Sequence, residues 1–259
     1  MNIRAFSYLS DGPNERIEAM IQSGIVPRIV SLLVHSSSSM QTPALRTVGN
    51  IITGTDTQTQ YILDFNILPH LIAMFDSPKM NIRKEACWTI SNITAGTRDQ
   101  IQMVIDREAI PKLIRILLHS EEYEVQKEAA WAIANATSGG STDQINYLVE
   151  QGSIAALSNI LSAKEVKILT MILEGLENIL KSGMQNSESR SFENIKFLFS
   201  DCGSLEKLKA LQDHPTSSIY QRTLHILRTY FDVEEVKNED EERGVSDPEK
   251  AVGQNLEIG

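Results

Sequence analysis

Two segments carry the side chains with the most chemical content. Lys84-Glu85-Ala86-Cys87-Trp88-Thr89-Ile90-Ser91-Asn92 is followed by Lys127-Glu128-Ala129-Ala130-Trp131-Ala132-Ile133-Ala134-Asn135. Each sets a Trp four residues before an Asn, a spacing that puts both side chains on one face of a helix. An Asn amide holds a donor and an acceptor, so it can grip a peptide N–H and C=O together without reading sequence. An indole face attracts a cation by about 0.5–2 kcal/mol while the methylene stem of a Lys or Arg packs beside it. The chemistry on offer is recognition of a basic peptide, not bond-making.

The pattern extends beyond the two copies. Asn50, Asn92, Asn135 and Asn178 follow one another at 42, 43 and 43 residues, and Arg46, Trp88, Trp131 and Glu174 stand four before them. Stacked helices lie roughly 8–10 Å apart. An extended peptide advances about 3.3 Å per residue, so one step of such a ladder matches about three ligand residues. Glu85 and Glu128 lie three before the Trp residues, and Thr53, Asp56 and Thr59 lie in or beside the loop after the Asn50 helix. These groups would complete pockets for Lys or Arg heads. A bland alternative stands beside this one: a helical Trp is commonly core, and an interior Asn can simply bond the next repeat. The Trp–Asn pairing, repeated in register, favours the ligand reading.

The rest of the chain reads as scaffolding for that ladder. Five apolar segments align, beginning at Gly24, Asn66, Ala109, Ser153 and Ser204, and Pro27, Pro69 and Pro111 recur at intervals of 42. Proline is tolerated in a first helical turn, so these mark the starts of middle helices. A short helix is predicted before each (Arg16–Ser23, Gln58–Phe65, Gln100–Asp106, Asp143–Gln151, Phe192–Ser200) and a longer one after it (Thr42–Thr53, Ile82–Thr94, Glu124–Ser138, Val166–Lys181, Ser218–Asp232). Gly54, Gly96, Gly139 and Gly183 read as caps of the first four long helices. A three-helix unit with apolar faces on both sides cannot bury them alone, so the units must stack. The predicted fold is all-α: a right-handed superhelical solenoid of about five three-helix repeats. A partial repeat comes first, ending at Ala5–Leu9 with Tyr8 in the Asn register.

Composition narrows the function. Net charge is −10, which argues against a nucleic-acid partner. Residues 233–259 carry net −6 of it and few large apolar side chains, so they read as an acidic disordered tail behind a domain of residues 1–232. Two Cys are too few for a disulfide framework, and no run is long and apolar enough for a secretion signal or a membrane span. The five His are scattered, and there is no phosphate-binding Gly loop or nucleophile motif. No enzyme, cofactor or metal is expected.

WTISNITAG (Trp88–Gly96), WAIANATSGG (Trp131–Gly140), ALRTVGNIITG (Ala44–Gly54), EGLENIL (Glu174–Leu180) and SYLSDG (Ser7–Gly12) closely resemble importin-α (karyopherin-α), the armadillo-repeat adaptor of nuclear import. The likeness covers nearly residues 4–232 and aligns the chain with the C-terminal half of that family's armadillo domain. It implies binding of nuclear localisation signals at a minor-type site made of Arg46, Asn50, Trp88, Asn92, Trp131 and Asn135. Ile52, Thr53, Thr59, Ser91 and Glu128 fall on surrounding pocket positions. It implies an export receptor on the last repeats (about 190–232), nucleoporins on the C-terminal region, and residence in cytoplasm and nucleus. Arg4 stands where the family would place a Trp four before Tyr8. The family's basic importin-β-binding segment has no counterpart in these residues, so direct coupling to importin-β is not expected. A truncated scaffold that sequesters signal-bearing proteins is the rival reading.

Overall fold

The computed structural model describes residues 3–185 and 189–233, and among them the regular structure is helical, without a strand. A lone helix, α1 (Ile3–Leu9), comes first. Five triplets follow. They are α2 (Asn14–Gln22), α3 (Val26–Ser31) and α4 (Ser38–Ile52); α5 (Asp56–Leu63), α6 (Leu68–Met74) and α7 (Met80–Thr94); then α8 (Arg98–Asp106), α9 (Ala109–His119) and α10 (Tyr123–Gly139). The last two are α11 (Thr142–Glu150), α12 (Ser153–Ser158) and α13 (Val166–Gln185), then α14 (Ser189–Asp201), α15 (Ser204–Ala210) and α16 (Ser217–Phe231). The long helices α1, α4, α7, α10, α13 and α16 pack one against the next in that order. This is the expected solenoid of five triplets with a partial unit before them. The expected acidic tail lies outside the described residues from 234 onward.

Local chemistry sets each corner. Between the first and middle helix of every triplet one residue turns left-handed: Gly24 (φ 69°), Asn66 (54°), Glu108 (56°), Gly152 (93°) and Gly203 (71°). Glycine takes that conformation without a Cβ penalty, whereas Glu108 bears one. Pro27 and Pro69 then occupy the second position of their helices, where no N–H is required.

The first helices of three triplets begin one or two residues before the predicted points, because the sequence holds capping boxes. Thr55 with Gln58, Thr97 with Gln100, and Ser141 with Gln144 each exchange reciprocal side-chain-to-backbone bonds. The same Gln amides reach the preceding triplet. Gln58 Nε2 donates to Asn14 O at 3.1 Å, Gln100 Nε2 to Asp56 O at 2.9 Å and Gln144 Nε2 to Arg98 O at 2.9 Å. One residue thus starts its own helix and ties two repeats together.

Three of the predicted glycine caps play other parts. Gly54 and Gly96 are not left-handed; a Cβ at either would collide with Oε1 of Gln58 or Gln100, so they make room for the capping amides. Gly183 is internal to α13, which continues past the predicted end. There a Cβ would stand 2.6 Å from Ile195 Cδ1, so the glycine allows α14 to approach closely. The core is a continuous file of aliphatic side chains, with Val48, Ile90, Ile133 and Ile179 all fully buried on the long helices. Each such side chain contributes about 1.5–3 kcal/mol relative to exposure.

Candidate peptide-binding face

Four successive long helices bring the predicted rungs together. Arg46 and Asn50 project from α4, Trp88 and Asn92 from α7, Trp131 and Asn135 from α10, and Glu174 and Asn178 from α13. Both indoles are partly exposed. Trp88 lies against Gly49 of the preceding long helix; a Cβ at that position would sit 3.0 Å from Trp88 Cε3 and 2.9 Å from Thr89 Oγ1. The glycine therefore lets the indole lie down on α4.

Each indole already carries a cation of the chain itself. The Arg46 guanidinium stands 5.1 Å from the Trp88 ring centroid, and the Lys167 ammonium 5.5 Å from that of Trp131. Arg46 also pairs with the Glu85 carboxylate. Glu85 is buried, and its Oε2 has no hydrogen-bond partner. Burial pushes its carboxyl above the ordinary glutamate range, with Arg46 and Lys84 opposing. Glu128, one repeat on, is also raised by burial; Lys84 and Lys127 oppose this, while Glu85 and Glu124 add to it. The neighbouring lysines are engaged: Lys84 with Glu124 at 3.8 Å, and Lys127 with Glu124 at 2.9 Å and Glu165 at 3.2 Å.

The Asn amides divide their capacity. Asn50 Nδ2 donates to Ser7 O and Ser10 Oγ, both at 3.0 Å, and Asn135 Nδ2 to Ser91 O at 2.9 Å. Asn178 Nδ2 meets Thr137 Oγ1 at 3.4 Å. These bonds run to the preceding repeat, so part of the bland alternative holds, with the direction reversed. Asn92 is the exception: its Nδ2 is buried with no partner. Such a group costs about 1–3 kcal/mol until something accepts from it.

The pocket-wall residues fall into two groups. Thr53 is exposed on the helix end, its hydroxyl on Asn50 O at 2.7 Å. Thr59 and Ile52 are buried, and Thr59 Oγ1 donates to Ile52 O at 2.9 Å, bracing the end of α4. Ser91 is buried with its hydroxyl on Trp88 O at 2.8 Å, and its own carbonyl takes the Asn135 amide. Thr59 and Ser91 therefore shape the face from beneath. Glu128 is partly exposed, with Lys84 and Lys127 as its neighbouring cations.

At the fourth rung the character changes. A groove of about 200 Å³ is lined by Trp131, Asn135, Glu174 and Asn178 together with Arg222 of α16. Arg222 donates to Glu174 at 2.8 Å and to the buried Glu177 at 3.0 Å, and Lys181 pairs with Glu177 at 2.7 Å. Burial alone would raise the Glu177 carboxyl, but Lys181 and Arg222 together hold it below the ordinary range. At the other end, a groove of about 540 Å³ is lined by Arg4, Tyr8, Thr42 and Arg46 among others, and Tyr8 is 76% exposed. Lys167 and Arg222 escaped the sequence reading. The buried pattern of α16 matches that of α13 at an offset of 51 residues rather than 43, so no fixed period reaches Arg222. Among the described residues no cluster of His, Cys, Asp and Glu could hold a metal ion.

The armadillo/β-catenin-like repeat model matches residues 13–53, 55–95 and 97–138, and the atypical armadillo repeat model matches 193–244. Importin subunit alpha-1b of Oryza sativa subsp. japonica is 50% identical over 233 residues, covering 89% of this chain and 44% of the relative. Importin subunit alpha-B of Dictyostelium discoideum is 52% identical over 231 residues, covering 89% and 45%. The chain thus spans a little under half the length of these curated relatives. A designed armadillo repeat protein in complex with peptide (KR)4 superposes with a TM-score of 0.78 at 29% identity, covering 88% of this chain and 91% of the other. Repeat matches, relatives and superposition agree with the ladder's three-helix units, and the chain belongs to the armadillo-repeat proteins and, among them, to the importin-α family.

Proposed function

We propose that this chain is an adaptor of nuclear protein import that binds Lys/Arg-rich nuclear localisation signals in an extended conformation along the Arg46/Asn50, Trp88/Asn92 and Trp131/Asn135 rungs. One observation carries the reading: each indole already holds a cation, Arg46 on Trp88 and Lys167 on Trp131. Both plates are therefore suited to the head groups that a basic signal would bring. Asn92 supplies an amide whose donor is unspent. A designed relative of the same fold is paired with a (KR)4 peptide, and the curated relatives are importin-α subunits. Both support the basic-peptide reading.

On this reading the protein works in cytoplasm and nucleus, and its last repeats meet an export receptor and nucleoporins. The test is a titration with a fluorescent Lys/Arg-rich signal peptide. Trp88→Ala combined with Asn92→Ala removes a cation plate and a backbone grip, so affinity falls by about 30-fold or more. Unchanged affinity in a folded double variant would place the ligand elsewhere.

A further inference from the structure

The row that carries Trp88 and Trp131 ends in an acid. Trp88 lies down on Gly49, the residue before Asn50 on the preceding long helix. Ser91 and Ala134 hold the same place, one residue before Asn92 and Asn135. By that register an indole at position 174 would lie over Ala134. Glu174 brings no ring there, and Arg222 of α16 bonds its carboxylate at 2.8 Å. The bed over Ala134 is therefore open, as the groove of about 200 Å³ between Trp131 and the α13 residues Met171, Gly175 and Asn178. Its floor stays low because Gly175 has no side chain; a Cβ there would stand 3.2 Å from Ala134 Cβ. Arg222 spans one side, its guanidinium pinned by Glu174 and by Glu177 at 3.0 Å. An apolar cavity of about 150 Å³ holds a benzene ring, so the groove has the size for one aromatic side chain.

We infer that the fourth rung is a pocket for an aromatic residue of the ligand, Tyr or Trp, about three residues beyond its basic core. The ligand then supplies the ring that this rung lacks. This rests on the basic-peptide reading above and deepens it with a second recognition element. One rung spans about three residues of extended chain, so a core seated on Trp88 and Trp131 carries its next residues into the groove. The walls suit a ring with a polar tip. Met171 offers a thioether, Trp131 an aromatic neighbour and Arg222 a planar cation held in place for stacking. Asn178, whose Nδ2 has a long 3.4 Å bond to Thr137 Oγ1, offers an amide to a phenol O–H or an indole N–H. Leu would fill part of the same space without stacking or using the amide.

The experiment uses the full chain and labelled peptides with one basic core. Tyr, Leu or Ala stands three residues beyond the core, on either side in turn, and fluorescence anisotropy reads affinity. On one side Tyr binds about five- to tenfold more tightly than Ala, and Leu gains less than Tyr. The gain persists at high salt, where the affinity of the core itself falls. Two variants fill the groove from opposite walls. Ser138→Trp does so from an exposed position on α10 and leaves the affinity of the Ala peptide within about twofold. Glu174→Trp restores the missing indole of the row. Each brings the ratio of Tyr to Ala affinity close to one in a protein of unchanged helical content. No Tyr gain on either side, a gain as large for Leu, or a gain that survives both variants would overturn the inference while the basic-peptide reading stands. If the Ala peptide itself fails to bind, or binds without regard to Trp88 and Asn92, the basic-peptide reading has failed and takes this inference with it.

Discussion

Gly49→Ala is the perturbation whose consequences the structure specifies most sharply. In an exposed helix interior the change would help, since alanine is favoured over glycine by about 0.5–1 kcal/mol. Here the added Cβ would sit 3.0 Å from Trp88 Cε3 and 2.9 Å from Thr89 Oγ1, and closer still to Cζ3 of the same indole. Carbon atoms pack at about 3.5–4.0 Å, so the ring must shift by roughly 1 Å. Overpacking of that kind costs about 1–3 kcal/mol, which outweighs the propensity gain. The net expectation is a loss of about 0.5–2 kcal/mol of stability, with the indole displaced from Arg46. Peptide affinity falls by about three- to tenfold as a cation–π contact is misaligned. In a Trp88→Ala background the ring is gone and only the 2.9 Å approach to the buried Thr89 Oγ1 remains, so the same substitution costs less than in the parent, by about 0.5–2 kcal/mol. Urea denaturation of the four proteins of the cycle reads the stability, and fluorescence anisotropy reads the peptide. If Gly49→Ala has the same effect with and without Trp88, the indole does not rest on that glycine and the placement of the first plate is wrong.

Other expectations follow from particular residues. Glu108 is left-handed at φ 56°, so Glu108→Gly stabilises by about 1 kcal/mol in urea denaturation, whereas Gly152→Ala at φ 93° costs a similar amount. Gln100→Ala removes a capping box and the bond to Asp56 O together, and should cost about 2–3 kcal/mol by thermal or urea unfolding. The Glu128 carboxyl is raised by burial, so a bound ligand cation expels its proton; affinity for a basic peptide rises as pH climbs just above the ordinary glutamate pKa, and Glu128→Gln flattens that rise. Glu177 is lowered, which has the opposite sense for folding. Its stabilising contribution is whole above the ordinary glutamate pKa and is lost as pH falls through the folded value, and Glu177→Gln abolishes that part of the acid-limb slope in a Tm-versus-pH series.

Much of this was legible because a solenoid repeats its physics. Pro27, Pro69 and Pro111 marked helix starts through a missing N–H, and the Trp–Asn spacing marked one helix face. The Thr/Ser-x-x-Gln boxes are equally present in the sequence, and they place the helix starts at Asp56 and Arg98, ahead of the apolar pattern that begins at Gln58 and Gln100. Gly183 was misread because its role depends on Ile195, a partner from the next repeat that no local pattern names.

By itself the sequence determined the all-helical repeat, the order of its units and the registers of Arg46/Asn50, Trp88/Asn92, Trp131/Asn135 and Glu174/Asn178. Those are properties of period and propensity, which act along the chain. Only the tertiary structure decided how each rung is employed. Arg46 lies on Trp88 and pairs with Glu85, Asn50 and Asn135 tie back to the preceding repeat, and Asn92 keeps an unspent donor. Lys167 and Arg222 close the far end. These contacts join residues some 36 to 48 positions apart. Whether they form depends on the distance and rotation between neighbouring long helices, which packing sets and periodicity does not encode.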